Sequence, residues 1–109
     1  MIQVSINERS DGSTAGLLIE GHAGLASAGN DILCAAVSVL SENLGASLTL
    51  LLEVPAEIHA NDGLYRVTVP LKHHSDASEL LFQSTILGLR VLAEQYPERM
   101  RLSRTRAPE

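Results

Sequence analysis

The sequence predicts a two-layer α+β fold, a sheet of about five strands carrying two helices in the order ββαββαβ. Two runs alternate apolar and polar residues, at Ile2-Val4-Ile6 and Tyr65-Val67-Val69, and two longer stretches change to helical period, from Asp31 and from about Ser75. Asp11-Gly12, Asn61-Asp62-Gly63 and Pro97 punctuate them. Two helices against one sheet is the simplest arrangement that buries both helical faces and one sheet face. At 109 residues and 45% hydrophobic content, the chain reads as a single domain, 1–109, whose core holds without disulfides or a structural metal.

Each element has its own local reason. Ile2, Val4 and Ile6 alternate with Gln3, Ser5 and Asn7, and Leu17 and Ile19 continue a second run up to Glu20, so residues 2–8 and 15–20 predict a hairpin with a connection longer than two residues. Residues 21–30 hold three glycines and three alanines, a composition that packs little, and predict a mobile loop. A helix follows to about Glu53, ahead of Pro55, with Asn30 or Asp31 as its N-cap. Asp31, Cys34, Ser38, Glu42, Gly45, Thr49 and Glu53 recur at helical steps and form a narrow stripe on an otherwise apolar helix. Such a helix needs cover on more than one side, by the sheet and by a second helix or a second subunit, and this predicts a homodimer. Val54, Ala56 and Ile58 alternate up to the Asn61-Asp62-Gly63 turn, and Tyr65-Val67-Val69 return from it as the clearest hairpin. Ser75 or Asp76 caps a second helix, with Leu80, Leu81, Ile86, Leu87, Val91 and Leu92 expected on its apolar side. Met100 and Leu102 alternate with arginines in a last short strand.

Charge and composition exclude several function classes. The net charge is −5, and it is uneven: residues 1–98 carry four basic and twelve acidic side chains, while residues 99–109 carry four arginines and one glutamate. An acidic body disfavours DNA as a partner, because phosphate binding needs clustered Lys and Arg. The polar residues that interrupt Ile32–Leu52 argue against a membrane span, and the amino terminus has no secretory signature, so a cytoplasmic location is expected. The histidine pair His73-His74 has no zinc-spaced companions, and no metal or cofactor is expected.

The chemistry rests on His22 and Cys34. A cysteine near a helix start meets unpaired backbone N–H groups and the positive end of the macrodipole, both of which favour thiolate. His22 lies twelve residues earlier across the glycine-rich loop, which can fold back and bring the imidazole beside the sulfur. That pair would attack a carbonyl and return a proton to a leaving amine, with the helix-start amides holding the oxyanion. Asp31 is explained either as a helix cap or as a partner that orients His22, and Ser38 as a surface residue or a thiolate donor. The same residues leave open a structural Cys34 in a peptide-binding module, or a thiol regulator without proteolysis.

Gly21-His22-Ala23-Gly24, followed by Asp31-Ile32-Leu33-Cys34-Ala35-Ala36-Val37-Ser38, closely resembles the signature of the bacterial ribosomal-processing cysteine protease family Prp. The late Leu87-Gly88-Leu89 and Glu94-Gln95-Tyr96-Pro97 segments also look like that family. The resemblance implies a cytoplasmic homodimer that removes a short N-terminal extension from a large-subunit ribosomal protein, the bacterial member twenty-seven, by cutting after a bulky aromatic residue. It implies His22 and Cys34 as the catalytic dyad and Asp31 and Ser38 as supporting positions. Gly21, Ala23, Gly24, Leu25 and Gly29 would belong to the loop that closes over the peptide. Leu25 and Leu33 stand where family members often carry an aromatic residue and valine, changes that bear on substrate fit.

Overall fold

The computed structural model describes residues 1–21 and 31–107, the Asp31 side chain excepted. Its elements follow the expected order: β1 (Ile2–Glu8), β2 (Thr14–Glu20), α1 (Asp31–Ala46), β3 (Glu57–Asn61), β4 (Leu64–Thr68), α2 (Asp76–Gln95) and β5 (Met100–Arg106). The five strands form one sheet in the order β3-β4-β2-β1-β5. β5 lies parallel to β1, and the other neighbours are antiparallel. Both helices therefore serve as crossovers, α1 from β2 to β3 and α2 from β4 to β5.

Alternation decides what is buried. Ile2, Val4 and Ile6 of β1, Leu17 and Ile19 of β2, and Val67 of β4 all point to the helical side, where they meet Leu33, Val37, Leu44 and Leu48 below α1 and Phe82, Ile86 and Leu89 below α2. The segment Ile32–Leu51 is long and apolar enough to cross a membrane, but here its inner residues lie in this core, as those of a globular domain's core helix do.

The first helix departs from the expected run to Glu53. The α-helix ends at Ala46 and widens into a π turn, Ser47–Leu51, so the pattern drifts and leaves Leu50 and Leu51 exposed. Glu53 then takes φ 55°, a left-handed conformation, and the Val54 amide donates to the Leu48 carbonyl at 2.9 Å. Pro55 keeps Val54 and Ala56 out of β3, which starts at Glu57, three residues later than the alternation suggests. The second helix is capped as expected at Ser75: the Ser78 amide donates to Ser75 Oγ at 3.0 Å, and the Ser75 amide to Ser78 Oγ at 2.9 Å. Its buried face is rotated from expectation. Ser78, Phe82, Thr85, Ile86 and Leu89 face the sheet, whereas Leu80, Leu87 and Val91 are exposed. His73 closes a short 3-10 turn, Leu71–His73.

Candidate active site

α1 and the tip of the β3–β4 hairpin face each other across a cleft of about 270 Å³. Cys34, Ser38, Ser41 and Glu42 line it from the helix, Asn61, Asp62, Gly63 and Tyr65 from the hairpin, and Ile2, Ile19 and Gly21 from the ends of the first two strands. The helix side is the polar stripe read in the sequence, so the spacing that isolates those residues also aims them at one space.

The hairpin arrives there by register. Glu20 pairs with Leu64 at the end of β2, and the Gly21 amide donates to the Gly63 carbonyl at 2.8 Å. Gly21 has φ 97°, and a Cβ there would overlap the Met1 carbonyl, so only glycine fits this wall. The chain thus enters residues 22–30 from the rim of the cleft that holds Cys34.

Cys34 is the fourth residue of α1, a free thiol of intermediate burial. Ser38 sits one turn further on and is exposed. Ser41 is buried and donates to the Val37 carbonyl at 2.7 Å, which occupies its hydroxyl proton within the helix. Burial, and secondarily the Glu42 carboxylate, raise Tyr65 above the usual tyrosine range, so its hydroxyl stays protonated at neutral pH.

Of the expected site residues, Cys34, Ser38 and Gly21 are brought together on this cleft. His22, Ala23, Gly24, Leu25 and Gly29 lie outside the described residues, as do the expected closure of their loop and the Asp31 side chain that would cap the helix or orient His22. Asp62 and Tyr65 were read in the sequence only as part of a turn and a strand, and Glu42 only as a member of the stripe. The place of Asp62 and Tyr65 on the cleft comes from the β2–β4 register, which joins segments more than forty residues apart and leaves no local signal.

The same fold is found in proteins already known. The Staphylococcus aureus ribosomal processing cysteine protease Prp is 29% identical over 104 residues, covering 94% of this chain and 98% of its own. The crystal structure of that essential S. aureus protease with a covalently linked product peptide superposes with a TM-score of 0.83 at 26% identity, covering 96% of this chain and all of the other. SMU.848 from Streptococcus mutans superposes with a TM-score of 0.81 at 33% identity, covering 98% of this chain and 96% of the other. A model of the family described as cysteine protease Prp matches residues 1–101, from β1 to the start of β5, and the chain belongs to that family.

Proposed function

We propose that this chain is a cytoplasmic cysteine endopeptidase that removes a short N-terminal extension from the bacterial large-subunit ribosomal protein twenty-seven. The observation that carries the reading is the shared cleft: Cys34 on one wall, and on the rim Gly21, the residue that precedes His22. The S. aureus relative, which holds a covalently linked product peptide, supports the covalent route.

In this reading His22 takes the proton of the Cys34 thiol, and the thiolate attacks the scissile carbonyl carbon. Amides near the start of α1 hold the oxyanion. The tetrahedral intermediate collapses by breaking the C–N bond, His22 gives its proton to the leaving amine, and a thioester remains on Cys34. Water, deprotonated by His22, then releases the new carboxylate and restores the thiol. Asp31 and Ser38 support the pair, Asp31 as cap or as partner of His22 and Ser38 from the next turn of the same wall.

The test is cleavage of a synthetic peptide that carries the extension. Wild type cuts it, and Cys34→Ala and His22→Ala each lower kcat/KM by at least about a thousandfold while circular dichroism stays unchanged. Iodoacetamide alkylates Cys34 rapidly at neutral pH, and the rate falls in His22→Ala. Binding without cleavage by wild type would make the chain a peptide-binding module, and fast alkylation without cleavage a thiol regulator. Exposed apolar side chains on both helices lead us to propose further that the working unit is a homodimer.

A further inference from the structure

The cleft continues past Cys34. Its helical wall runs on to Glu42, eight residues or about 12 Å along the axis, the span of roughly four residues of extended peptide. The Tyr65 ring lies at that end, and its hydroxyl reaches α1 over Gly45, where a Cβ would overlap it. Ile19 pairs with Tyr65 across β2 and β4, and Val37 and Leu64 add apolar lining elsewhere on the cleft. Tyr65 has an open cleft on one side and, because Gly45 lacks a side chain, a helix backbone on the other.

Resting on the protease reading above, we propose that Tyr65, seated on Gly45, closes the far end of the cleft and selects the apolar peptide side chain about four residues from the scissile bond. A ring held back against α1 leaves room for that side chain. A methyl group at position 45 pushes the ring away from the helix, and the space on that side is the cleft. The ring is part-buried against the core, and its hydroxyl is the atom such a methyl group would meet. Once the hydroxyl is removed, the same methyl group stands 3.6 Å from the ring carbon that carried it, an ordinary contact. Ile58 Cδ1, at 3.0 Å, shifts at little cost because Ile58 is part-exposed.

The experiment is an alanine scan of the extension peptide, with kcat and KM measured for each peptide on wild type, Gly45→Ala and the double variant Gly45→Ala/Tyr65→Phe. In wild type, one position three to five residues from the cut discriminates against alanine. In Gly45→Ala that discrimination falls by about tenfold through KM, while positions flanking the cut keep theirs, and the double variant restores it. Uniform loss across all peptides, a change confined to the flanking positions, or no change would each overturn the proposal. Should Gly45→Ala fail to fold, Tyr65→Leu opens the same end, and the same position should then accept naphthylalanine better than wild type does; an unaltered preference overturns the proposal equally. Failure of wild type to cut any peptide would instead remove the protease reading.

Discussion

Glu79 shows how one side chain joins the start of the central strand β2 to a helix. Its carboxylate accepts from the Thr14 amide at 2.8 Å, from Thr14 Oγ1 at 2.6 Å and from Gln83 Nε2 at 2.9 Å, and lies 3.2 Å from His74 Nε2. Burial alone would raise its pKa, but the hydrogen bonds from Gln83, Thr14 and His74 outweigh burial and lower it. A carboxylate whose folded value lies below its unfolded one stabilises the fold above the unfolded value and loses that contribution as pH falls through the folded value. Glu79→Gln should therefore cost about 1 kcal/mol at pH 7 and flatten the acid limb of the stability curve below about pH 4.5, as read by urea melts across pH. Buried Arg9 belongs to the same corner, donating to the carbonyl oxygens of Val69 and Thr14. Neither role was legible in the sequence, because Glu79 meets Thr14 and Arg9 meets Val69 only across segments distant in the chain, and a lone Arg9 after a strand reads as a surface residue. Cys34 was legible, since its place near a helix start and on a polar stripe is local information.

At the scale of elements, local chemistry was readable where it recurs and unreadable where packing decides. The Ser75 cap, the Asp62-Gly63 turn and the alternation of β1 and β4 are short-range signals, and the structure has them where the residues put them. The rotated face of α2 was not legible, because Ser78 and Thr85 sit inside the buried stripe and Leu80, Leu87 and Val91 outside it, against their hydropathy. The cap is testable: Ser75→Ala should cost about 1 kcal/mol by removing the bond to the Ser78 amide, read as a shift in denaturation midpoint at constant slope. The π turn hides a second handle. Glu53 holds φ 55°, where a side chain costs roughly 1 kcal/mol relative to glycine, so Glu53→Gly should raise stability by up to that amount although it lengthens the list of glycines. A lowered midpoint would mean that the Glu53 side chain contributes more than its backbone costs.

The whole molecule has one covered layer and one uncovered seam. The sheet's outer face is built from residues such as Gln3, Ser5, Asn7 and Arg101, which suit water. The helical layer is different: between α1 and α2 runs a groove lined by Ala35, Ala36, Val39, Leu40, Gly88 and Val91, at the base of which Leu40 packs on Gly88. Val39 and Ile32 are each 65% exposed and Leu87 is 60% exposed, so the apolar rim continues along both helices. Single exposed leucines are ordinary, but a contiguous seam with no charge on its floor is a surface that gains by being covered. A second copy suits it, since a two-fold axis across two antiparallel ridges and one groove sets each Val39 ridge into the partner's groove. The exposed seam itself was foreshadowed in the sequence by the excess apolar surface of residues 32–52, while the contribution of α2 was not, because Leu87 and Val91 read as core. The proposed dimer predicts a light-scattering mass of about twice 11.7 kDa at micromolar concentration. Val39→Asp should give the monomer, with its circular dichroism intact because the side chain faces outward, and with Cys34 alkylated at the wild-type rate because the cleft opens on the neighbouring stripe of α1. A wild-type mass of one chain would leave the seam without a partner of its own kind.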